Sequence, residues 1–389
     1  MKKFLSSLVM GLLWCNTASA LPKCIGEDTN KWTMCEATYT YEDGREYSGQ
    51  WKKSERHGQG TFTYADGSIY VGGWREGFRQ GLGTFTYLDG SIYVGGWRTG
   101  YRYGQGTLTY ANESIYVGGW KNGFRHGQGT FSDVDGGEYT GEWKKSERHG
   151  QGTFTYADGS IYVGEWDQSE RKGQGTLTYT DGRKYIGQWN EGLRHGQGTF
   201  LDKDGSIYVG GWRNGFRHGR GTLTYTDGRE YIGEWNERFR NDKWRSGFRH
   251  GQGSFTNVDG SIYVGEYRSG LRHGQGTLTY TDGREYIGEW NEGLRHGQGT
   301  FTYADGSIYV GEWLLSEHHG QGTLTYTDRR EYIGQWKEGL RHGQGTFTYA
   351  DGSIYVGEWL LSEHHGHGNL TYTNGKEYIG QFRNNNFIK

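Results

Sequence analysis

Gly60-Thr61-Phe62-Thr63-Tyr64-Ala65-Asp66-Gly67-Ser68-Ile69-Tyr70-Val71-Gly72-Gly73-Trp74-Arg75-Glu76-Gly77-Phe78-Arg79-Gln80-Gly81 is the stretch that decides the fold. Thr and aromatic residues alternate from Gly60 to Tyr64, which is strand spacing. Asp66-Gly67 follows, and Asp-Gly between two alternating runs signals a hairpin, because the tight turn needs positive φ. Ile69 to Trp74 alternates again, and the polar, Gly-rich segment from Arg75 to Gly81 is expected to turn the chain into the next hairpin. Side chains two apart share a face, so Phe62 and Tyr64 lie together, as do Tyr70, Gly72 and Trp74. Gly72 between two large rings leaves room for a neighbouring ring to lie flat across the backbone. Thr61, Thr63, Ile69 and Val71 point the other way and form a β-branched, half-polar face.

The unit recurs along the whole chain. Tyr-x-Gly-x-aromatic returns every 23 residues from Tyr47 through Tyr70 and Tyr162 to Tyr231, and again from Tyr263 through Tyr286 to Tyr378. Only the step from Tyr231 to Tyr263 is longer, at 32 residues. A fixed period repeated this often means an array of small units, and it overrides the two or three domains that 389 residues would suggest. The chain holds 72 Gly, one Pro, 16 Trp, 31 Tyr and 16 Phe, with only 32% hydrophobic residues. Too little aliphatic material is present for a thick core, so the core is expected to be a thin line of rings packed between neighbouring repeats.

Residues 1–20 read as an export signal: basic Lys2 and Lys3, a mostly apolar run from Phe4 to Cys15, and the small-residue site Ala18-Ser19-Ala20. The apolar run is short of the roughly 20 residues that cross a bilayer. Its removal leaves Cys24 and Cys35 in a chain sent to an oxidising compartment, where a disulfide between them is expected, worth ~2–4 kcal/mol. Removing Lys2 and Lys3 takes the net charge from −2 to −4. No large positive field draws nucleic acid or an anionic membrane from a distance, and no nucleic-acid partner is expected.

Tyr185-Ile186-Gly187-Gln188-Trp189, followed by Gly192, His195-Gly196 and Gly198, resembles the MORN (membrane occupation and recognition nexus) repeat, and the resemblance extends over about residues 36 to 382. It implies an all-β fold, an elongated single-layer twisted antiparallel sheet of tandem 23-residue β-hairpins. Tyr267 and Phe382 depart from the pattern by replacing Trp. Gln80, Tyr103 and Lys172 replace His, while Asn112-Glu113 and Asp328-Arg329 replace Asp-Gly. From Phe154 onward the units alternate in type, Ser-Ile-Tyr units with units carrying a charge before the Tyr (Lys184, Glu285), so the outer face should alternate an Ile row with a charged row.

The expected organisation is a signal peptide (1–20), an N-terminal cap with the disulfide (21–46), a first array (47–235), an insertion (236–250), and a second array with its C-terminal cap (251–389). An array needs covered edges. Glu36 to Gly44 looks like the first strand and turn, with the Cys24–Cys35 loop over the leading edge. Nine extra residues near Trp244 are expected to form a bulged connection or bend, with a partner-docking loop as the sharper reading.

The histidines do not suit a metal centre. Equivalent positions in consecutive hairpins are roughly 9.5 Å apart, whereas zinc holds nitrogens at ~2.0–2.1 Å. His318-His319 and His364-His365-His367 are the local exceptions. The aspartates Asp66, Asp89, Asp158, Asp181 and Asp305 are explained by turn chemistry. No phosphate-loop, nucleophile-elbow or zinc-protease motif occurs, and no catalytic, cofactor or metal residue is assigned. One stripe invites a functional reading: Arg56, Arg79, Arg102, Arg125, Arg148, Arg171, Arg194 and Arg217, at one place in the inter-hairpin turn, form a candidate anion-binding edge. Glu55, Glu147 and Glu191 share those turns and are expected to neutralise it.

These features point to a non-enzymatic exported scaffold, in the periplasm or envelope of a Gram-negative bacterium or secreted, presenting repeated faces to a protein partner or to a second copy in a homodimer. The resemblance carries both scaffold and membrane-association roles. The alternative is a binding module for anionic lipid or envelope polysaccharide, using the arginine edge and the aromatic groove. The aromatics Tyr70, Trp74, Tyr162, Trp166, Tyr286 and Trp290 are expected to be structural.

Overall fold

The structure, a computed structural model, describes residues 21–240 and 243–388, with only the backbone course at 237–240 and 243–246. The expected export signal, residues 1–20, lies outside the described residues. The described chain is all-β, with one 3-10 turn at Thr29–Lys31 and no α-helix among the described residues. It divides into two units, the first comprising residues 21–157 and 167–169, the second residues 158–166 and 170–388. In the first, β1 (Cys35–Thr40) to β11 (Glu147–Thr155) pair antiparallel in chain order. The second holds β12 (Ile161–Asp167), apart from its last residue, to β31 (Asn386–Phe387), built on the same repeat.

Each repeat uses two different turns, and the sequence reading needs correction at the second. After β3 (Glu55–Thr63) the chain reverses through Tyr64 to Ser68 into β4 (Ile69–Arg75). Gly67 N–H donates to Tyr64 O at 3.0 Å and Gly67 alone takes positive φ (+91°), while Asp66 Oδ1 accepts from Ser68 N–H at 2.9 Å. The loop is thus a type I turn closed by a left-handed glycine. Where Glu113 and Arg329 replace that glycine, both adopt positive φ and keep the same hydrogen bond.

The segment read as an inter-hairpin turn is mostly strand. Only Glu76 and Gly77 turn, both with positive φ, between the paired residues Arg75 and Phe78. β5 (Phe78–Thr86) then runs straight through the His-Gly-x-Gly positions. Those glycines serve a bulge: opposite β2 (Glu46–Lys52), Gly49 pairs with Gly60 but Gln50 pairs with His57, so Gly58 and Gln59 are extra, and Gly58 has φ +62°.

The disulfide joins Cys24 to Cys35 with Cα atoms 5.0 Å apart. It ties residues 22–24 alongside β1, where Cys24 N–H donates to Glu36 O and Glu36 N–H donates to Pro22 O. The 236–250 segment forms no separate loop in the described residues. β18 (Glu230–Arg240) and β19 (Lys243–Thr256) are lengthened, and their pairing continues past Asn236 and Phe248, after a register shift, to Arg240 and Lys243.

Candidate functional site

One face of the repeat is a closed row of rings. Tyr70 is fully buried, and Trp74 packs edge-on against it at 5.2 Å and against Tyr47 of the preceding repeat at 5.4 Å. Tyr162 with Trp166, and Tyr286 with Trp290, repeat the pair at 5.1 Å, all four buried. Edge-to-face pairs of this kind contribute ~0.5–1.5 kcal/mol each beyond area burial. Tyr267 and Phe382 keep the row at the substituted positions, 5.3 Å from Tyr231 and 5.1 Å from Tyr355.

The glycines make room for this row, as the spacing predicts. Gly72 pairs with Gly83, and the ring lying over them is that of Tyr70, from the same strand as Gly72. A Cβ on Gly83 would stand 2.5 Å from Tyr70 Cε2. Tyr70 Oη donates to Gly73 O at 3.0 Å, and Trp74 Nε1 donates back to Gly60 O at 3.2 Å. Burial pushes these phenols up, Tyr116 to about 12, so they stay neutral donors.

The arginine stripe is not in the turns. Each arginine is the second residue of a strand, so its side chain faces the rings and reaches one repeat forward. Arg79 Cζ sits 4.2 Å from the Trp97 ring centre, and its Nη2 donates to Gly100 O at 2.7 Å. The backbone returns the contact, Gly100 N–H donating to Arg79 O at 3.0 Å. Arg56, Arg102, Arg125, Arg148 and Arg171 make the same forward carbonyl bond at 2.6–2.9 Å. Arg194 and Arg217 lie over Trp212 and Trp235 at 4.4 and 5.2 Å. Desolvation lowers the pKa of Arg56, Arg125, Arg194 and Arg217 below the ordinary guanidinium value. Of the glutamates expected to neutralise the row, Glu55 and Glu147 open β3 and β11 and Glu191 lies in its turn; Glu76 pairs with Arg75 at 3.5 Å. The row acts as a set of staples between repeats, a role invisible until the turn is read as strand.

His318 and His364 take the arginine's place in their repeats, stacking on Tyr309 and Tyr355 at 3.7 and 3.6 Å. Their neighbours His319 and His365 pair across from Glu312 and Glu358, and His367 meets Gln381. Among the described residues no group of three His, Cys, Asp or Glu is arranged to hold a metal ion.

The opposite face is open. Val71, Val94 and Val117 in the first unit, and Val163, Val209, Val264, Val310 and Val356 in the second, are each about half exposed. In the second unit the isoleucines Ile161, Ile207 and Ile262 are exposed, while the charged positions between them, Lys184, Glu230 and Glu285, are intermediate.

A family model described as MORN repeat matches fourteen successive segments, from 47–69 through 208–228 and from 243–262 through 355–377. No curated protein matches. Among solved structures, the TCP10 domain of Danio rerio CPAP is 9% identical with a TM-score of 0.30, over 59% of this chain and 98% of that one. The Drosophila melanogaster SAS-4 TCP domain, solved with a proline-rich motif, is 10% identical with a TM-score of 0.26, over 47% and 88%. A streptogramin B lyase is 12% identical with a TM-score of 0.13, over 86% and 93%. Likenesses at this level carry no argument about this chain. The repeat itself does: with most of its length matched, and with rings, paired glycines and bulges recurring in register, the chain belongs to the MORN-repeat family.

Proposed function

We propose that this protein is a non-catalytic, exported scaffold whose open sheet face docks a protein partner, a second copy of itself included. The observation that carries the reading is the half-exposed valine or isoleucine at the same place in most repeats. A face that returns the same side chains at a fixed spacing suits an extended partner better than a small substrate. Export is supported by the basic and apolar start of the sequence and by the Cys24–Cys35 disulfide, a bond that persists in oxidising compartments. The lipid or polysaccharide alternative needs the arginine row, and those guanidiniums are engaged with carbonyl oxygens and rings.

The test places a photo-crosslinking residue at Val94 or Val209 in the full chain expressed in its native cell. A discrete protein adduct at both sites, absent from a control at the buried Tyr93, is the expected result, with the processed product beginning at Leu21. Absence of protein adducts, together with salt-sensitive sedimentation on anionic vesicles that is lost in Arg→Gln variants, overturns the reading in favour of the alternative.

A further inference from the structure

In ten repeats the residue before the aromatic is Glu or Gln, and its side chain lies over the left-handed glycine of the next strand, as Glu142 lies over Gly150 and Gln188 over Gly196. In eight of them it accepts the N–H of the residue after that glycine, as in Gln174 to Glu165 at 2.9 Å, Gln197 to Gln188 at 3.0 Å and Gln321 to Glu312 at 3.0 Å. The bulge is thus a small socket that the chain fills with its own carboxylate or amide.

Four repeats leave the socket unfilled. Gly73, Gly96, Gly119 and Gly211 stand in place of Glu or Gln, and the space over the facing Gly81, Gly104, Gly127 and Gly219 is open. Those four glycines are exposed, whereas their ten counterparts are half-buried. Each unfilled repeat carries a cation two residues on, on the same face: Arg75, Arg98, Lys121 and Arg213. At Gly211 the gap is a concavity walled by His195, Gln197, Arg213, His218 and Arg220. His218 Nδ1 is itself buried, without a hydrogen-bond partner. The site has open space over its left-handed glycine and two arginines beside it, and it lacks the acceptor side chain that its siblings supply.

We propose that the concavity at Gly211, with its counterparts at Gly73, Gly96 and Gly119, binds carboxylate side chains from an acidic segment of a protein partner. The carboxylate takes the position that Glu165 or Glu312 fills within its own repeat. The inference rests on the scaffold reading for its partner being a protein. The three sockets of the first unit follow one another at one-repeat spacing, roughly 9.5 Å for two strands. An extended segment in polyproline II conformation presents every third residue on one side, about 9.3 Å apart, so Asp or Glu at every third position matches that spacing.

The test titrates the full processed chain with a labelled peptide of Glu-Ser-Ser repeats and its Gln-Ser-Ser counterpart, alongside free glutamate and phosphatidylglycerol vesicles. One variant fills the sockets without adding charge: Gly73→Gln, Gly96→Gln, Gly119→Gln and Gly211→Gln, a residue the chain itself uses at Gln50, Gln188 and Gln335. Because a Cβ at Gly211 presses on the His218 carbonyl oxygen, a second variant avoids any packing change: Arg213→Asn with Arg220→Gln, residues found at the equivalent Asn190 and Gln197. The Glu peptide should bind and the Gln peptide should not. Each variant should weaken binding at least about tenfold, the loss expected for one charge-assisted hydrogen bond. Equal binding of both peptides, unchanged binding by a folded filled variant and by the arginine variant, or capture of vesicles in place of the peptide overturns the proposal. Failure of the Glu peptide to bind the unaltered chain, with Val94 crosslinks still formed, sinks the sockets and leaves the scaffold standing.

Discussion

His318 lies flat on Tyr309, ring centres 3.7 Å apart and planes 18° from parallel, with its Nε2 3.0 Å from Tyr303 Oη. It fills the slot that arginine fills in most repeats, between Trp313 and Trp336. Burial, helped by the nearby charge of Arg295, lowers its pKa to about 4, and His364 behaves likewise beside Arg341. A base with a depressed folded pKa is protonated more readily in the unfolded chain, so its stabilisation is complete above pH ~6.5 and is lost as pH falls toward 4. Melting temperature should therefore drop over this window in the wild-type protein. It should drop less in the His318→Arg, His364→Arg variant, which restores the residue of the other repeats. Equal slopes would remove these two rings as the cause.

The glycine pair under each tyrosine should be far less tolerant than the glycine of the tight turn. Gly83→Ala forces a methyl group into the Tyr70 ring and should cost about 1–3 kcal/mol. Gly77→Ser should cost well under half of that, because Ser54, Ser146 and Ser169 already hold the same left-handed turn position. Urea midpoints, with amide exchange across residues 70–86, make the comparison.

Removing a staple should loosen the joint between two repeats. Arg102→Gln loses the bond from Nη2 to Gly123 O at 2.8 Å and the stacking over Trp120 at 4.1 Å. The expected cost is roughly 1–3 kcal/mol, with faster amide exchange in the strands on either side. A surface control, Arg75→Gln, should stay within about 0.5 kcal/mol. A salt-independent loss supports packing over long-range charge, since the guanidinium lies against a ring and not in solvent.

Reduction of Cys24–Cys35 should act locally. It releases residues 22–24 from β1, and exchange should quicken through residues 22–52 while the 285–302 hairpin stays protected, because in an array each repeat leans only on its neighbours. Uniform loss of protection would contradict that independence.

Much of this was legible in the repeat. Alternation placed Phe62 with Tyr64 and Tyr70 with Trp74, and Asp66-Gly67 marked a turn that the structure keeps. The stretch from Arg75 to Gly81 was misread because its glycines look like loop, whereas one of them turns the chain and the other holds a bulge inside a strand. That misreading put the arginines at an edge. Once they belong to strands, the two-residue period sends them under the next repeat's tryptophan.

The sequence by itself determined the period, the hairpin and the side of the strand each residue occupies, because these follow from spacing along one chain. Only tertiary structure decided which ring covers which glycine, where each guanidinium finds its carbonyl, and which bulges are left without an acceptor. The contacts between strands join residues 8 to 21 positions apart, and only the pairing of strands across bulges, not their order, sets the distance between such residues.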